Sequence, residues 1–299
     1  MDKYPYIISQ TFRFNPYTEF NHIEKISGYF EYYYTFSAPI ALIPNIKIER
    51  YDIITKKKLP IITIDKYLKF VGEVYHLLDY KNKKPVFVPV SLKFGIDDIK
   101  RLVKEYIKKE FLNIWFDFEG AAVTKPKIAR IRAFLREVDS NGRLDDIITF
   151  STNIKREIIS NPKSDKTPSS DIIASIIGSN LVGVNREPPR PIGTPLSKEE
   201  LVELRKHKAR VFDASTYYYS KVDTSSYDAK TRNLLMIPKR NILFNSKLLD
   251  EELVVQTEYF LKEMSIEKYI TKKPMISEYK GGELKKVLFP KEIKITEWF

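Results

Sequence analysis

The stretch Asn113-Ile-Trp-Phe-Asp-Phe-Glu-Gly120 decides how this chain is read. Ile114, Trp115 and Phe116 make a short apolar strand, which runs into two carboxylates, Asp117 and Glu119, and stops at a glycine. Residues two apart on a strand face the same side. Both acids are therefore expected to point the same way where a parallel strand ends, the edge at which α/β proteins gather their loops around a crevice. The pattern recurs along the chain. Val86–Val90 runs into Ser91 and Lys93, and Ile147–Phe150 into Ser151, Asn153 and Arg156. Leu181–Val184 runs into Asn185, Arg186 and Glu187, and Arg210–Phe212 into Asp213 and Ser215. Polar residues closing one apolar run after another predict a shared active-site mouth.

Between these runs lie helical stripes. Ile64–Leu78 places Tyr67, Leu68, Val71, Tyr75 and Leu78 on one face. Ile96, Ile99, Leu102, Val103, Tyr106 and Ile107 form a second stripe, with Asp97 and Asp98 suited to its start. Pro126 opens a third helix, which Asn141-Gly142 ends. A Pro/Ser/Lys loop at 161–170, a helix over Asp171–Ile177 and a capping box at Ser197-Lys-Glu-Glu200 follow. Ile242–Phe244 and Leu248–Glu263 read as one more strand and helix. Alternation at about 30 residues per unit is the size of a βαβ step. With no dinucleotide-binding glycine motif, it predicts an α/β chain built as a (β/α)8-type (TIM) barrel, irregular in places. The aromatic-rich residues 1–40 read as an N-terminal β segment, 41–265 as the barrel and 266–299 as a C-terminal extension.

Bulk composition narrows the chemistry. Of the 299 residues 43% are hydrophobic and 30% charged, the balance of a folded globular protein. There is no cysteine, which excludes disulfides, thiolate catalysis and Cys-ligated zinc. The three histidines, His22, His76 and His207, show no ligand spacing, so no metal site and no cofactor are expected. No apolar run reaches membrane-spanning length and the N-terminus lacks a signal peptide's apolar core, so a cytoplasmic protein without membrane contact is expected. The formal charge of +12 points to a polyanionic partner, RNA, DNA or anionic lipid, with nucleic acid (tRNA or DNA) the one expected. The alternative is that the lysine excess serves solubility and thermostability.

Each candidate residue carries two readings. Asp117 and Glu119 are a general acid/base pair, or one of them is an inward carboxylate paired to a cation. A Mg²⁺ held by the two is a further alternative. Asp213 is a nucleophile or base, or it caps the Asp-Ala-Ser-Thr segment. Arg186 clamps a phosphate or carboxylate beside Asn185, or braces its loop against Glu187. Ser151, Asn153 and Arg156 are substrate-binding candidates by their place at a strand end. Tyr217, Tyr219, Lys221, Tyr227, Lys230 and Arg232 interleave aromatic rings with cations, as surfaces that stack bases and hold phosphates do. Packing of a strand is the other account of them.

The segment Arg210-Val-Phe-Asp-Ala-Ser-Thr-Tyr-Tyr-Tyr-Ser-Lys-Val-Asp223 resembles the nucleophile segment of archaeal tRNA-guanine transglycosylases. Val86–Phe94, the helix over 97–110 and Asn113–Gly120 are similar to barrel units of that family. The resemblance implies a (β/α)8 barrel and exchange of guanine for a 7-deazaguanine base in tRNA or DNA. Asp213 would attack the ribose C1′, and no cofactor would be needed. The chain departs from the family in lacking its Asp-Ser-Gly motif, its Cys/His zinc ligands and its base-recognising Gly-Gly pair. With Gly178–Asn185 aligned instead, no acid stands at the nucleophile position. Two other functions fit the same residues: a non-catalytic nucleic-acid-binding subunit, homo- or hetero-oligomeric, and a small-molecule barrel lyase or hydrolase using the carboxylate pair.

Overall fold

The structure is a computed structural model, and it describes residues 13–14, 27–36, 39–52, 54–79, 84–158, 164–184 and 208–290. The chain divides into two compact units. The first comprises Met1–Ile154 with Ile177–Gly183, and the second Lys155–Ile176 with Val184–Phe299.

The first unit is built on a curled sheet of five parallel strands. They are β1 (Ala41–Leu42), β2 (Val86–Ser91), β3 (Asn113–Asp117), β4 (Ile148–Ile154) and β5 (Leu181–Val184), lying side by side in that order. All six residues of β2 are buried, which explains why its sequence runs apolar without alternation. One face of the sheet packs Leu42, Phe87, Trp115 and Phe150 into a single cluster with Ile40, and Leu181 lies against it. The opposite face meets helices α2 (Ile64–Asp79), α3 (Ile96–Lys108) and α4 (Lys125–Ser140). The Phe134 ring of α4 stands edge-on to Phe116, with centroids 5.2 Å apart. Pro89 sits in a central strand although it brings no N–H to the ladder. Its carbonyl accepts from the hydroxyls of Tyr67 at 3.1 Å and Tyr106 at 2.6 Å, so two helices are pinned where the ladder is interrupted.

The described part of the β segment expected over residues 1–40 is mostly helical. Among its described residues only Arg13–Phe14 is strand, and Ser27–Phe36 is a helix, α1. Phe30 and Tyr34, four apart, share its buried face, whereas Tyr32 is exposed. The aromatic spacing there follows the helical period and not the period of two.

The second unit is organised around antiparallel strands. β6 (Lys208–Asp213) and β7 (Tyr218–Asp223) form a hairpin, and Lys166–Pro168 pairs antiparallel to β7. The strand expected over 210–212 is therefore not a further parallel strand, and the described residues do not build a closed eight-stranded barrel. Helix α5 (Asp171–Ile176) forms as expected. The strand expected at Ile242–Phe244 is absent, because α6 (Ala229–Met236) is followed by one 26-residue helix, α7 (Pro238–Glu263). Its buried row is Asn241, Asn245, Leu249, Glu252 and Gln256. A buried stripe made mostly of polar residues gives no hydrophobic periodicity to read. The C-terminal region adds short helices at Glu267–Ile270, Pro274–Glu278 and Glu283–Leu288. Among the described residues no helix is long and apolar enough to cross a membrane.

Candidate functional site

At the C-terminal end of β3 the first unit carries a pocket of about 310 Å³. Its lining includes Asp117, Glu119, Lys93, Glu49, Lys127 and Arg130. Both carboxylates read from the sequence thus reach one pocket, by different routes. Asp117 is the last residue of β3 and is buried. One of its carboxylate oxygens accepts from Asn45 Nδ2 at 2.9 Å, the other from Asn153 Nδ2 at 3.0 Å and from the backbone N–H of Glu119 at 2.8 Å. Asn45 is itself oriented, since its Oδ1 accepts from the Tyr67 hydroxyl at 2.9 Å. A buried carboxylate is stable only when its charge meets donors of this kind.

Glu119 lies beyond the strand, in a turn of unusual backbone. Glu119 and Asn153 both have positive φ, +54° and +55°, and Gly120 follows at +72°. Asparagine visits this left-handed region readily and glycine without cost, but a glutamate there is strained by about 1 kcal/mol. Bonds along β4 hold the turn: Phe118 N–H donates to the Thr152 carbonyl at 3.0 Å, and Gly120 N–H to the Asn153 carbonyl at 2.8 Å. Strain of this kind, over-determined by its surroundings, gathers at functional sites. The turn delivers the Glu119 carboxylate to Lys93 Nζ, 2.6 Å away, and Lys93 also lies 3.5 Å from Glu49.

The third element of the pocket is the first turns of α4. Lys127 donates to the Phe118 carbonyl at 2.8 Å and stands 4.8 Å from the centre of the Phe118 ring. Burial pulls its amine down from 10.5 to about 8, with Lys93 and Arg130 adding to the fall and Glu119 and Asp117 opposing it. Arg130, three residues on, donates Nε to the Phe94 carbonyl at 2.7 Å. Among the described residues neither Lys127 nor Arg130 forms an ion pair, whereas Lys93 is met by two carboxylates. No cluster of three or more His, Cys, Asp or Glu side chains able to hold a metal exists among the described residues.

The other sequence candidates fall elsewhere. Asn153 does not line the pocket but holds Asp117, which does, by donating to its carboxylate. Ser151 is in register with Phe116, on the opposite sheet face, and its hydroxyl pairs with that of Ser179 at 2.5 Å. Asn185 and Arg186 lie outside the described residues. Arg156 and Asp213 belong to the second unit. Arg156 pairs with Glu157 and stacks 4.7 Å over the Tyr219 ring. Asp213 accepts from the backbone N–H and hydroxyl of Ser215 and from the hydroxyl of Thr216, bonds that hold its carboxylate below the usual range although burial opposes them. That is turn capping, the second of its two readings.

The Tyr/Lys segment is not the stacking surface expected. Tyr217 and Tyr219 are fully buried, with hydroxyls on Glu252 at 2.6 Å and Asp171 at 2.7 Å. Both pack on Phe212, which is why a strand of the second unit is so rich in tyrosine. Lys221 lies 3.5 Å from Asp165. Arg232 spends its guanidinium on the carbonyls of Thr224, Ser225 and Tyr227. Lys230 is exposed and Tyr227 half-buried.

Sequence reasoning missed Asn45, Lys127 and Arg130. The Thr-Lys-Pro-Lys start of α4, directly after the strand-end loop, was the available signal for Lys127. Compared with known proteins, the chain matches no family model, no curated protein and no solved structure.

Proposed function

We propose that the pocket at the end of β3 is the active site of an enzyme that moves a proton on a small polar substrate. The reading rests on one observation: Lys127, an amine titrating at about 8, lines the same pocket as two carboxylates. A group poised close to neutral pH can both give and take a proton, which is what general acid–base catalysis requires. Asp117, with its charge fixed by Asn45 and Asn153, is suited to orienting a donor group of the substrate. Glu119 and Lys93 form the adjoining wall as an ion pair. The curled parallel sheet corresponds to half of the expected (β/α)8-type barrel, and a reaction at its carboxyl edge is what such a sheet suits. The class is therefore that of a lyase, isomerase or hydrolase on a small molecule.

The test is deuterium incorporation from heavy water, followed by proton NMR, with a panel of hydroxy acids, oxo acids, sugars and sugar phosphates. The expected result is exchange at one carbon of one class of compound, reduced at least about 100-fold by Lys127→Met, the scale of a lost general acid–base group. Exchange continuing at the parent rate in Lys127→Met contradicts the reading. Base exchange at a nucleic acid is a second reading, supported by the +12 charge. It requires labelled guanine to enter tRNA or DNA, with loss of that activity in Asp213→Asn.

A further inference from the structure

Lys127 and Arg130 stand three residues apart on α4, and both line the pocket. Side chains three apart are neighbours on one helix face, so the two cations share the same space. Each is half-buried. Three acids, Glu49, Asp117 and Glu119, line the pocket with them. Yet among the described residues none of these acids forms an ion pair with Lys127 or Arg130. Glu49 and Glu119 are turned to Lys93, and Asp117 to its amide donors. Two adjacent like charges repel. Lys127 also lies in the first turn of its helix, where the backbone dipole disfavours a cation and where no acid offsets it. The arrangement is relieved in two ways at once: an anion settles on one cation, and the other gives up its proton.

The two side chains suit these separate parts. Arg130 uses Nε on the Phe94 carbonyl at 2.7 Å, and among the described residues its two terminal nitrogens make no hydrogen bond. A planar guanidinium with two donors side by side matches a carboxylate. Lys127 donates to the Phe118 carbonyl at 2.8 Å, which fixes where its nitrogen stands. Burial, with the charges of Lys93 and Arg130, favours the uncharged amine. A desolvated amine beside other cations is the activated form of a lysine nucleophile. A 2-oxo acid meets both groups together. With its carboxylate on Arg130, its carbonyl carbon, one bond away, falls to the neighbouring amine.

We infer that Lys127 is a nucleophile that forms an imine with a small 2-oxo acid, whose carboxylate Arg130 holds. The inference rests on the proposed active site and names its substrate class. The nitrogen lone pair forms a bond to the carbonyl carbon, and the C=O π pair moves onto oxygen. The two amine protons pass to that oxygen, the C–O bond breaks, and water leaves as the C=N bond forms. Glu119, whose charge is felt at the Lys127 amine, is placed to carry a proton between the two atoms. Once protonated, the imine draws electrons from the adjoining carbon and acidifies its C–H bond, the proton that the proposed reaction moves.

The experiment is reductive trapping of the full chain near neutral pH with pyruvate and sodium cyanoborohydride, each lysine being read by peptide mass spectrometry. Acetone, which has the carbonyl without the carboxylate, is run beside it. Lys127 should carry the reduced pyruvate adduct, about ten-fold or more ahead of the exposed Lys69 and Lys104. Normalised to those two lysines, pyruvate should outpace acetone at Lys127 by about ten-fold or more, the scale of a charge-assisted bond. Arg130→Met should erase that preference while acetone still labels Lys127, a result that a purely structural role for Arg130 does not give. Labelling of Lys127 no faster than of Lys69 and Lys104 overturns the inference. Equal normalised labelling by pyruvate and acetone, or a pyruvate preference kept in Arg130→Met, overturns it too. Lys127-dependent deuterium exchange with no adduct trapped at Lys127 would sink this inference and leave the proton-transfer reading standing. A trapped adduct at Lys127 without exchange on any compound would do the opposite.

Discussion

Asp117→Ala is expected to lower the unfolding free energy of the first unit by about 3–5 kcal/mol. The carboxylate is buried and accepts from Asn45, Asn153 and the N–H of Glu119. Removing it leaves those donors without their acceptor. It also frees the left-handed turn at Glu119, which the Asp117 bond helps to hold. Asp117→Asn keeps the shape but sets an amide donor against two amide donors, so it too should destabilise, by about 1–3 kcal/mol. Urea unfolding followed by tryptophan fluorescence reads both variants, because Trp115 lies two residues away on the same strand. A loss below about 1 kcal/mol for the alanine variant would show that the carboxylate does not organise this strand end.

The second large effect concerns pH and the second unit. Asp171 opens α5, is fully buried, and has its carboxyl pushed up to about 6 by desolvation, against the bonds from Ser169, Tyr219 and the N–H of Ile172 and the attraction of Arg156. Its unfolded value lies near 3.8. Between these values the folded chain binds more protons than the unfolded one, so this group's contribution is present at low pH and is lost as pH rises through about 6. Raising the pH from 5 to 7.5 should therefore cost the second unit roughly 1.4 kcal/mol. Asp171→Asn has no charge to bury and should flatten the dependence. Urea unfolding at the two pH values, parent beside variant, checks the sign. Stability that rises over this range through a group the asparagine variant lacks would contradict the account.

The elements that the sequence declared plainly share a cause. β2 and β3 carry unbroken apolar runs, Val86–Val90 and Ile114–Phe116, because both sheet faces are covered, and α3 and α4 carry regular apolar stripes with the expected end signals. α7 was misread because Asn241, Asn245, Glu252 and Gln256 occupy its buried row, and the apolar trio Ile242–Phe244 then mimics a strand. β6 was misread because an apolar run does not reveal whether its partner is parallel or antiparallel, and here the partner is β7, ten positions on. α1 was misread because a crowd of aromatics suits a strand by propensity, whereas Phe30 and Tyr34 bury at helical spacing.

The candidate site divides in the same way. Asp117 and Glu119 were legible because they stand two apart before a glycine. Asn45 reaches Asp117 from 72 residues earlier, and Lys127 from the far side of a loop, so no local pattern links either to the acids. Tyr217 and Tyr219 show the opposite error. Their cation-rich neighbourhood suggested a surface, yet both rings are interior.

Burial pulls the Lys127 amine down to about 8 against the opposing attraction of Glu119 and Asp117. Trace acetylation of lysines across a pH series, read by mass spectrometry at each residue, measures this directly. In the parent, Lys127 should label with a midpoint near 8, well below the ordinary lysine value of 10.5. In Glu119→Gln the midpoint should fall further, because the carboxylate's attraction for the ammonium is gone. Labelling of Lys127 in step with fully exposed lysines near 10.5, or a midpoint unmoved by Glu119→Gln, would contradict the account.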